Sequence, residues 1–376
     1  MKRFKSVDFF RGLSITYMII GHLIEWWITE QDIFVFHMLR ILFEFLGSGA
    51  FLLISGMSTI FSYRKRTNQY SEKDLLDKSF LKKEYFLRAL LLLGVGLGYN
   101  IFVVVAFGEI KDLWTWFILI TISFSLIITW PLLNTSKTVR ISIGISVWIL
   151  NYFLLSFLRP FDGQSNLYGV LFYILYHNLE LDPLLQFFPF FIIGTVLGDL
   201  LVDIYEDEHI ESKEKRLKAL KKDFLIPCMF FGCVSVLIGI LLEFPSFLSH
   251  RTAPWILYSL GLDLVFIAIL VALEESAIFI KKKNYRFFYY FSYYSFTIYL
   301  AHNVLYFLFH RMLPAFILIP TVIGVVFIVW IILRAVYKRF GSDASLKYQL
   351  SRLATHFAEN LQRKQILKLE SIKEKT

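Results

Sequence analysis

The sequence predicts an all-α polytopic membrane protein of about ten transmembrane helices, with both termini in the cytoplasm. Three observations carry this. The 376-residue chain is 57% hydrophobic with a mean hydropathy of +0.59, against ~45–50% apolar residues in a soluble domain. Its apolar residues gather in repeated runs that reach the ~20 residues a helix needs to cross a bilayer. Its basic residues gather in alternate loops, so the net charge of +9 reads as membrane orientation and not as nucleic-acid affinity.

Taken in order, span 1 covers about 9–29, and Gln31–His37 is a polar turn. Span 2 covers about 38–62 and contains EFLGSGAFLLISGMS. A basic loop follows, from Arg64 to Lys83, and then span 3 at about 85–107. The short link GEIKD leads to span 4 at about 112–133, and span 5 covers about 139–158. Arg159–Pro183 is a long loop in which Leu167–Tyr176 is apolar but too short to cross, so it is expected to be re-entrant or interfacial. Span 6 covers about 184–202. The charge-dense stretch 203–223 reads as a solvated helix. Spans 7 to 10 cover about 224–243, 253–273, 287–309 and 314–337. The division is therefore a ten-span domain over 1–340 and a cytoplasmic tail over 341–376. In that tail Leu346, Leu350, Leu353, Phe357 and Leu361 recur at helical spacing, the pattern of an amphipathic helix against the membrane surface or a loop.

Loop charges test this count. With the N-terminus inside, the inner segments hold Lys2, Arg3 and Lys5, then Arg64–Lys83, Lys137 and Arg140, Lys213–Lys222, Lys281–Arg286, and Lys338 with Arg339. The outer loops hold Lys111, Arg159, Arg251 and Arg311. A miscount by one span would break the alternation. Arg11 interrupts the first apolar run early and no small-residue cleavage pattern follows, so span 1 is expected to be retained and not removed as a signal peptide. Cys228 and Cys233 share one apolar segment and support neither a disulfide framework nor a metal site.

Span 1 is the unusual element, because it carries Asp8, Arg11, His22 and Glu25 where ionisable groups are costly. Arg11 and His22 are about three helical turns apart, on one face and ~16 Å apart along the axis. An imidazole tuned by a carboxylate three residues away suits a general base; a packed histidine bonded to a neighbouring helix is the plainer account. Arg11 can anchor the helix at the cytoplasmic surface or bind an anion such as a nucleotide phosphate, with Asp8 orienting it. Ser55 and Gly56 allow close helix approach or leave room for a narrow channel. His302 and Asn303 in span 9 are either helix-to-helix hydrogen-bonding groups or a second wall of the same pocket. His37 is an interfacial residue or a further base. His177, Asn178, Asp182, His250 and Arg251 are outer-loop groups that could face an acceptor. The histidines are not in metal-ligand register, so no metal is expected, and no phosphate-cradling Gly-rich loop, GxSxG element or CxxC framework is present.

VDFFRGLSITYMIIGH resembles the first span of transmembrane acyltransferases, in which an Asp precedes an Arg-Gly pair and a His follows the Arg after ten intervening residues. Asp8, Arg11-Gly12 and His22 keep that spacing. GSGAFLLISGMS and YYSFTIYLAHNVL resemble later spans of the same group. LLQFFPFFIIGTVLG is similar to a span of relatives of heparan-α-glucosaminide N-acetyltransferase at Pro189, Gly194 and Gly198, with Phe190 where Trp is usual. The resemblance implies a membrane-bound acyltransferase that passes an acyl group, usually acetyl from acetyl-CoA, to a sugar or glycan hydroxyl or amine on the far side. It implies His22 as the catalytic base, with His302 as a further candidate, and Arg11 in the donor or acyl channel; the residues themselves add Glu25 beside the base, and Asp8, Ser55 and Gly56 on the donor side. The chain departs from eukaryotic sugar-acetylating enzymes in the short turn between spans 1 and 2, and no large luminal domain is expected. The partners implied are acyl-CoA, a sugar or glycan acceptor and the bilayer, most simply the cell membrane; nucleic acid is excluded and a homodimer stays open. The rival account is a proton-coupled transporter or flippase with Arg11, His22 and Glu25 as the relay. Inverted-repeat symmetry would favour that carrier, and none is visible.

Overall fold

The computed structural model describes residues 2–70, 75–107, 110–177, 181–206, 212–244, 251–276 and 286–373. Those residues form helices and short turns, with one isolated backbone bridge, Ile28 to Leu313. Eight helical stretches among them are long and apolar enough to cross a membrane. The protein is an all-α, multi-pass integral membrane protein.

Helix α1 (Lys5–Trp27) is the first span, and it ends where Ile28 turns extended. Helix α2 (Phe34–Phe43) is short, and Gly47 separates it from α3 (Ser48–Tyr70). The expected second span is thus split, because a tight turn at Glu44–Gly47 interrupts its apolar run. Helix α4 (Leu75–Phe107) is 33 residues long, roughly 50 Å at 1.5 Å per residue, so it projects beyond a bilayer. Helix α5 (Ile118–Thr129) is the expected fourth span, but even with its 3-10 turn it covers only Ile118–Leu132. Residues 115–117 precede it outside any helix, with Phe117 extended and its N–H donated to the Thr115 carbonyl at 2.9 Å, which shortens the crossing.

Helix α6 (Lys137–Leu158) is followed by α7 (Leu167–Leu175). The Asn166 side chain caps α7 by accepting from Gly169 N at 2.8 Å. At nine residues α7 is too short to cross, as its length in the sequence requires. Helix α8 (Leu184–Glu206) carries Pro189 inside it and is the most buried of the spans. Helix α9 (Lys213–Leu220) starts at Ser212, which caps Lys215 N at 3.1 Å. It runs through a π-turn into α10 (Ile226–Glu243). Helix α11 (Ala253–Glu275) is a regular span.

The expected ninth span is broken. It consists of α12 (Arg286–Tyr293), α13 (Ser295–Ala301) and a 3-10 stretch, His302–Phe307, with Tyr294 interrupting the helix. Helix α14 (Ala315–Phe340) is the last span, and α15 (Leu346–Lys373) is the tail helix. The tail docks on α4: Thr355 Oγ1 donates to Glu84 Oε1 at 2.6 Å, and Lys83 bonds Gln365.

The core is the packing of α1, α3, α8 and α11. Helices α3 and α8 cross almost backbone to backbone. A side chain at Gly56 would collide with the Phe191 carbonyl, and one at Gly194 with the Leu53 carbonyl. Gly12 does the same for α1 against Phe288 of α12. Without a water-driven force between helices, such small residues supply the close contact. The outward faces are apolar: Phe230, Phe231 and Leu241 of α10 and Phe316 and Ile323 of α14 are all exposed, as bilayer-facing residues are.

Charged groups also lock the bundle. Arg140 is buried and pairs with Asp199, while Arg64 donates to the same carboxylate at 2.8 Å. Arg140 Nη1 also donates to the Thr195 carbonyl at 3.2 Å. A residue that looks like a loop cation in the sequence therefore ties α6 to α8 and α3.

Candidate active site

Helix α1 carries one cavity on each side of its midpoint. The N-terminal residues and the tail helix meet at one end of the bundle, and the cavity there measures about 530 Å³. Arg3, Asp8, Arg11, Ser55 and Ser58 are among its wall residues. The far-side cavity measures about 630 Å³, and its wall includes His22, Glu25, Glu44, Asp182, Arg251 and His302. Both volumes suit a small-molecule site. Phe51 and Tyr299 belong to both walls, so the two chambers meet at this aromatic pair. A third depression, along α10, is an open apolar groove on the bilayer-facing surface.

The far-side chamber is built around two imidazoles. The rings of His22 and His302 lie 5.2 Å apart, and Trp26 stacks on both, at 5.0 and 5.6 Å. His302 is buried; its Nδ1–H donates to the Tyr299 carbonyl at 2.6 Å. A carbonyl can only accept, so the proton sits on Nδ1 and Nε2 carries a lone pair. His22 is half-exposed to the chamber, and its Nδ1 lies 3.4 Å from Glu25 Oε2. That contact directs the Nδ1–H to the carboxylate and leaves Nε2 as the basic atom.

The backbone fixes this pairing. Leu313 N donates to the Trp27 carbonyl at 2.8 Å, Arg311 N to the Trp26 carbonyl at 2.9 Å, and Thr29 N to the Leu313 carbonyl at 3.0 Å. Trp27 Nε1 donates to the Leu305 carbonyl at 2.9 Å. The end of α1 is therefore clamped to the chain on both sides of Phe307–His310. The break of the ninth span into a 3-10 stretch brings His302 and Asn303 to the chamber wall. Asn303 stands there beside Tyr99, which shares the same wall.

An ion-pair network closes the outer edge. Arg251 donates to Glu44 Oε1 at 3.0 and 2.7 Å and to the Leu181 carbonyl at 2.9 Å, and it lies 3.4 Å from Asp182. Burial opposes the Arg251 charge, but Glu44 and Asp182 outweigh it and hold the guanidinium above its ordinary pKa. Burial pushes the Asp182 carboxyl up, with Arg251 pulling against it. Of the expected outer-loop groups, Asp182 and Arg251 stand on the wall. Asn178 and His250 lie outside the described residues, and neither His177 nor His37 is among the wall residues. The sequence reading missed Glu44, whose role depends on an arginine 207 positions away.

In the tail-side chamber Arg11 bonds Ser58 Oγ and lies 3.5 Å from Asp8. Asp8 also accepts from Arg3 at 2.7 Å. Ser55 stands on the wall with its hydroxyl donated to the Phe51 carbonyl at 2.7 Å. Gly56 faces α8, where it packs and does not line the cavity. Among the described residues no group of three or more His, Cys, Asp or Glu could hold a metal ion.

No curated protein matches the chain. The family model of the heparan-alpha-glucosaminide N-acetyltransferase catalytic domain matches residues 3–242, well over half the chain. That stretch contains Asp8, Arg11, His22 and Glu25 and stops before His302 and α15. A family of transferases does not favour the transporter account. The chain belongs to the heparan-alpha-glucosaminide N-acetyltransferase catalytic family and is a membrane-bound acyltransferase.

Proposed function

We propose that the protein transfers an acetyl group from cytoplasmic acetyl-CoA, through the bundle, to a hydroxyl or amine of a sugar or glycan on the outer side. The observation that carries this is the arrangement along α1: a cation-lined chamber at Arg11, a histidine pair at His22, and one aromatic pair between them. The clustering of basic residues in alternate loops supports a cytoplasmic position for the tail-side chamber and both termini. The cell membrane is the simplest location. Residues 1–340 form the transferase domain and 341–376 its cytoplasmic tail.

In this reaction the CoA phosphates lie among the tail-side cations, with Arg11 held by Asp8 and Ser58. Ser55 lines the path. The thioester reaches past Phe51 and Tyr299. His22 Nε2 takes the proton from the acceptor O–H or N–H, and the acceptor atom attacks the acetyl carbon. Glu25 holds the ring and stabilises the imidazolium. Asn303, on the chamber wall beside Tyr99, is suited to donate to the developing oxyanion. The C–S bond then breaks, and the His22 imidazolium returns its proton to the CoA thiolate. His302 packs the base against Trp26. The bilayer and the apolar walls exclude bulk water and limit hydrolysis of the thioester.

The test uses purified protein in nanodiscs with acetyl-labelled acetyl-CoA and a panel of amino sugars and glycosides. Label appearing in sugar, lost in His22→Ala, supports the reaction. Turnover that does not depend on any acceptor, or none with any acyl-CoA, overturns it.

A further inference from the structure

The tail-side chamber holds more positive charge than its own carboxylates balance. Arg3, Arg11, Arg66, Arg88 and Lys347 all line it. Asp8 answers Arg3 and Arg11, and Glu84 pairs with Arg66. Neither Arg88 nor Lys347 makes an ion pair among the described residues. A cluster of this kind is stable when an anion with several negative oxygens joins it.

Lys347 is the least expected member, because the helix dipole, its cationic neighbours and burial all oppose its charge. It lies in the first turn of α15, at the positive end of the helix dipole, where a carboxylate is favoured. Arg11, then burial, then Arg88 push its ammonium down to about 7. The groups facing it are Arg3, Asp8 and Arg11 from the N-terminal segment and α1, Arg66 from α3, Tyr85 and Arg88 from α4, and Tyr293 from α12. Asp8 alone among those carboxylates and cations favours the charge. Yet the helix is tied in place. Leu346 N donates to Thr297 Oγ1 at 3.1 Å, Tyr294 Oη donates to the Gly341 carbonyl at 2.6 Å, and Thr355 bonds Glu84. Lys347 keeps accessible surface on the chamber it lines. None of this segment lies within the matched residues 3–242.

We propose that Lys347, with Arg88 and Arg11, binds the phosphates of the acyl-CoA donor, and that tail helix α15 is a wall of the donor chamber. This rests on the acyl-CoA reading above. Donor phosphates next to Lys347 raise its pKa again, so donor docking takes up a proton above pH 7. The sign follows: the lysine is charged below about pH 7 in the empty chamber, and donor affinity falls as pH rises beyond it.

The experiment is equilibrium binding of S-ethyl-CoA, a thioether that cannot transfer, to the full-length protein in nanodiscs at pH 7 and pH 8. With the wild type, Kd rises about fivefold between the two, from proton linkage at this one group. Lys347→Gln weakens binding about tenfold at pH 7 and flattens the pH response. Lys347→Arg keeps tight binding and is also flat, because a guanidinium does not titrate there. The arginine variant keeps the test decisive if the glutamine variant misfolds. Wild-type binding with unchanged affinity and slope in both variants overturns this inference and leaves the donor reading standing. Weaker binding in Lys347→Gln that keeps the wild-type slope marks a structural role and also overturns it. No S-ethyl-CoA binding by the wild type overturns both.

Discussion

The His22 and His302 rings sit 5.2 Å apart and both stack on Trp26, with His302 buried and His22 open to the chamber. In the proposed reaction, accessibility and the Glu25 contact favour His22 as the group that meets an acceptor, while the Tyr299 carbonyl holds the His302 ring. His22→Ala is expected to lower kcat by about 10²–10⁴, the usual worth of a general base. His302→Ala is expected to cost less. If the rings act as a unit, the double variant loses no more than His22→Ala alone. Steady-state kinetics of the three variants, with size-exclusion profiles as a folding check, decide this.

Phe51 stands in both chamber walls. Phe51→Ala widens the passage and admits water to the thioester, so acceptor-independent hydrolysis of acetyl-CoA is expected to rise. Donor Kd is expected to change less than twofold, since the phosphates bind farther along. Release of free thiol without acceptor is the measurement.

Asp199 serves both Arg140 and Arg64. Asp199→Ala strands the buried Arg140, while Arg64 keeps Asp203 at 3.7 Å, and is expected to cost about 3–5 kcal/mol. Arg140→Ala leaves Asp199 paired with Arg64 and is expected to cost less. Thermal unfolding in detergent ranks the two, and equal losses would contradict the shared-carboxylate account.

A side chain at Gly12 meets the Phe288 backbone. Gly12→Val is therefore expected to force α1 and α12 apart at a cost of about 1–3 kcal/mol or more. It also shifts Arg11, so weaker donor binding is expected together with a lower unfolding temperature.

Much of this was legible in the sequence because membrane length, loop charge and helical spacing are local signals. The eleven-residue separation of Arg11 and His22 places them in opposite chambers on one helix. What was not legible depends on contacts between distant segments. Arg140 reads as an inner-loop cation until α8 brings Asp199 to it. Glu44 carries no signal within the apolar run of span 2 until Arg251 reaches it. Ser55 and Gly56 are adjacent in sequence, but helical rotation puts one on the cavity wall and the other against Phe191. The ninth span reads as one apolar run, and the break at Tyr294 that carries His302 to the chamber has no Pro or Gly to announce it.

The central claim is acyl transfer at His22 across the bundle. Proteoliposomes with acetyl-labelled acetyl-CoA on the tail side and an amino sugar on the other test it most directly. The account predicts labelled N-acetyl sugar on the far side with the wild type and a loss of at least about 10²-fold in His22→Ala. Product that forms only on the donor side, or undiminished transfer by His22→Ala, would contradict it.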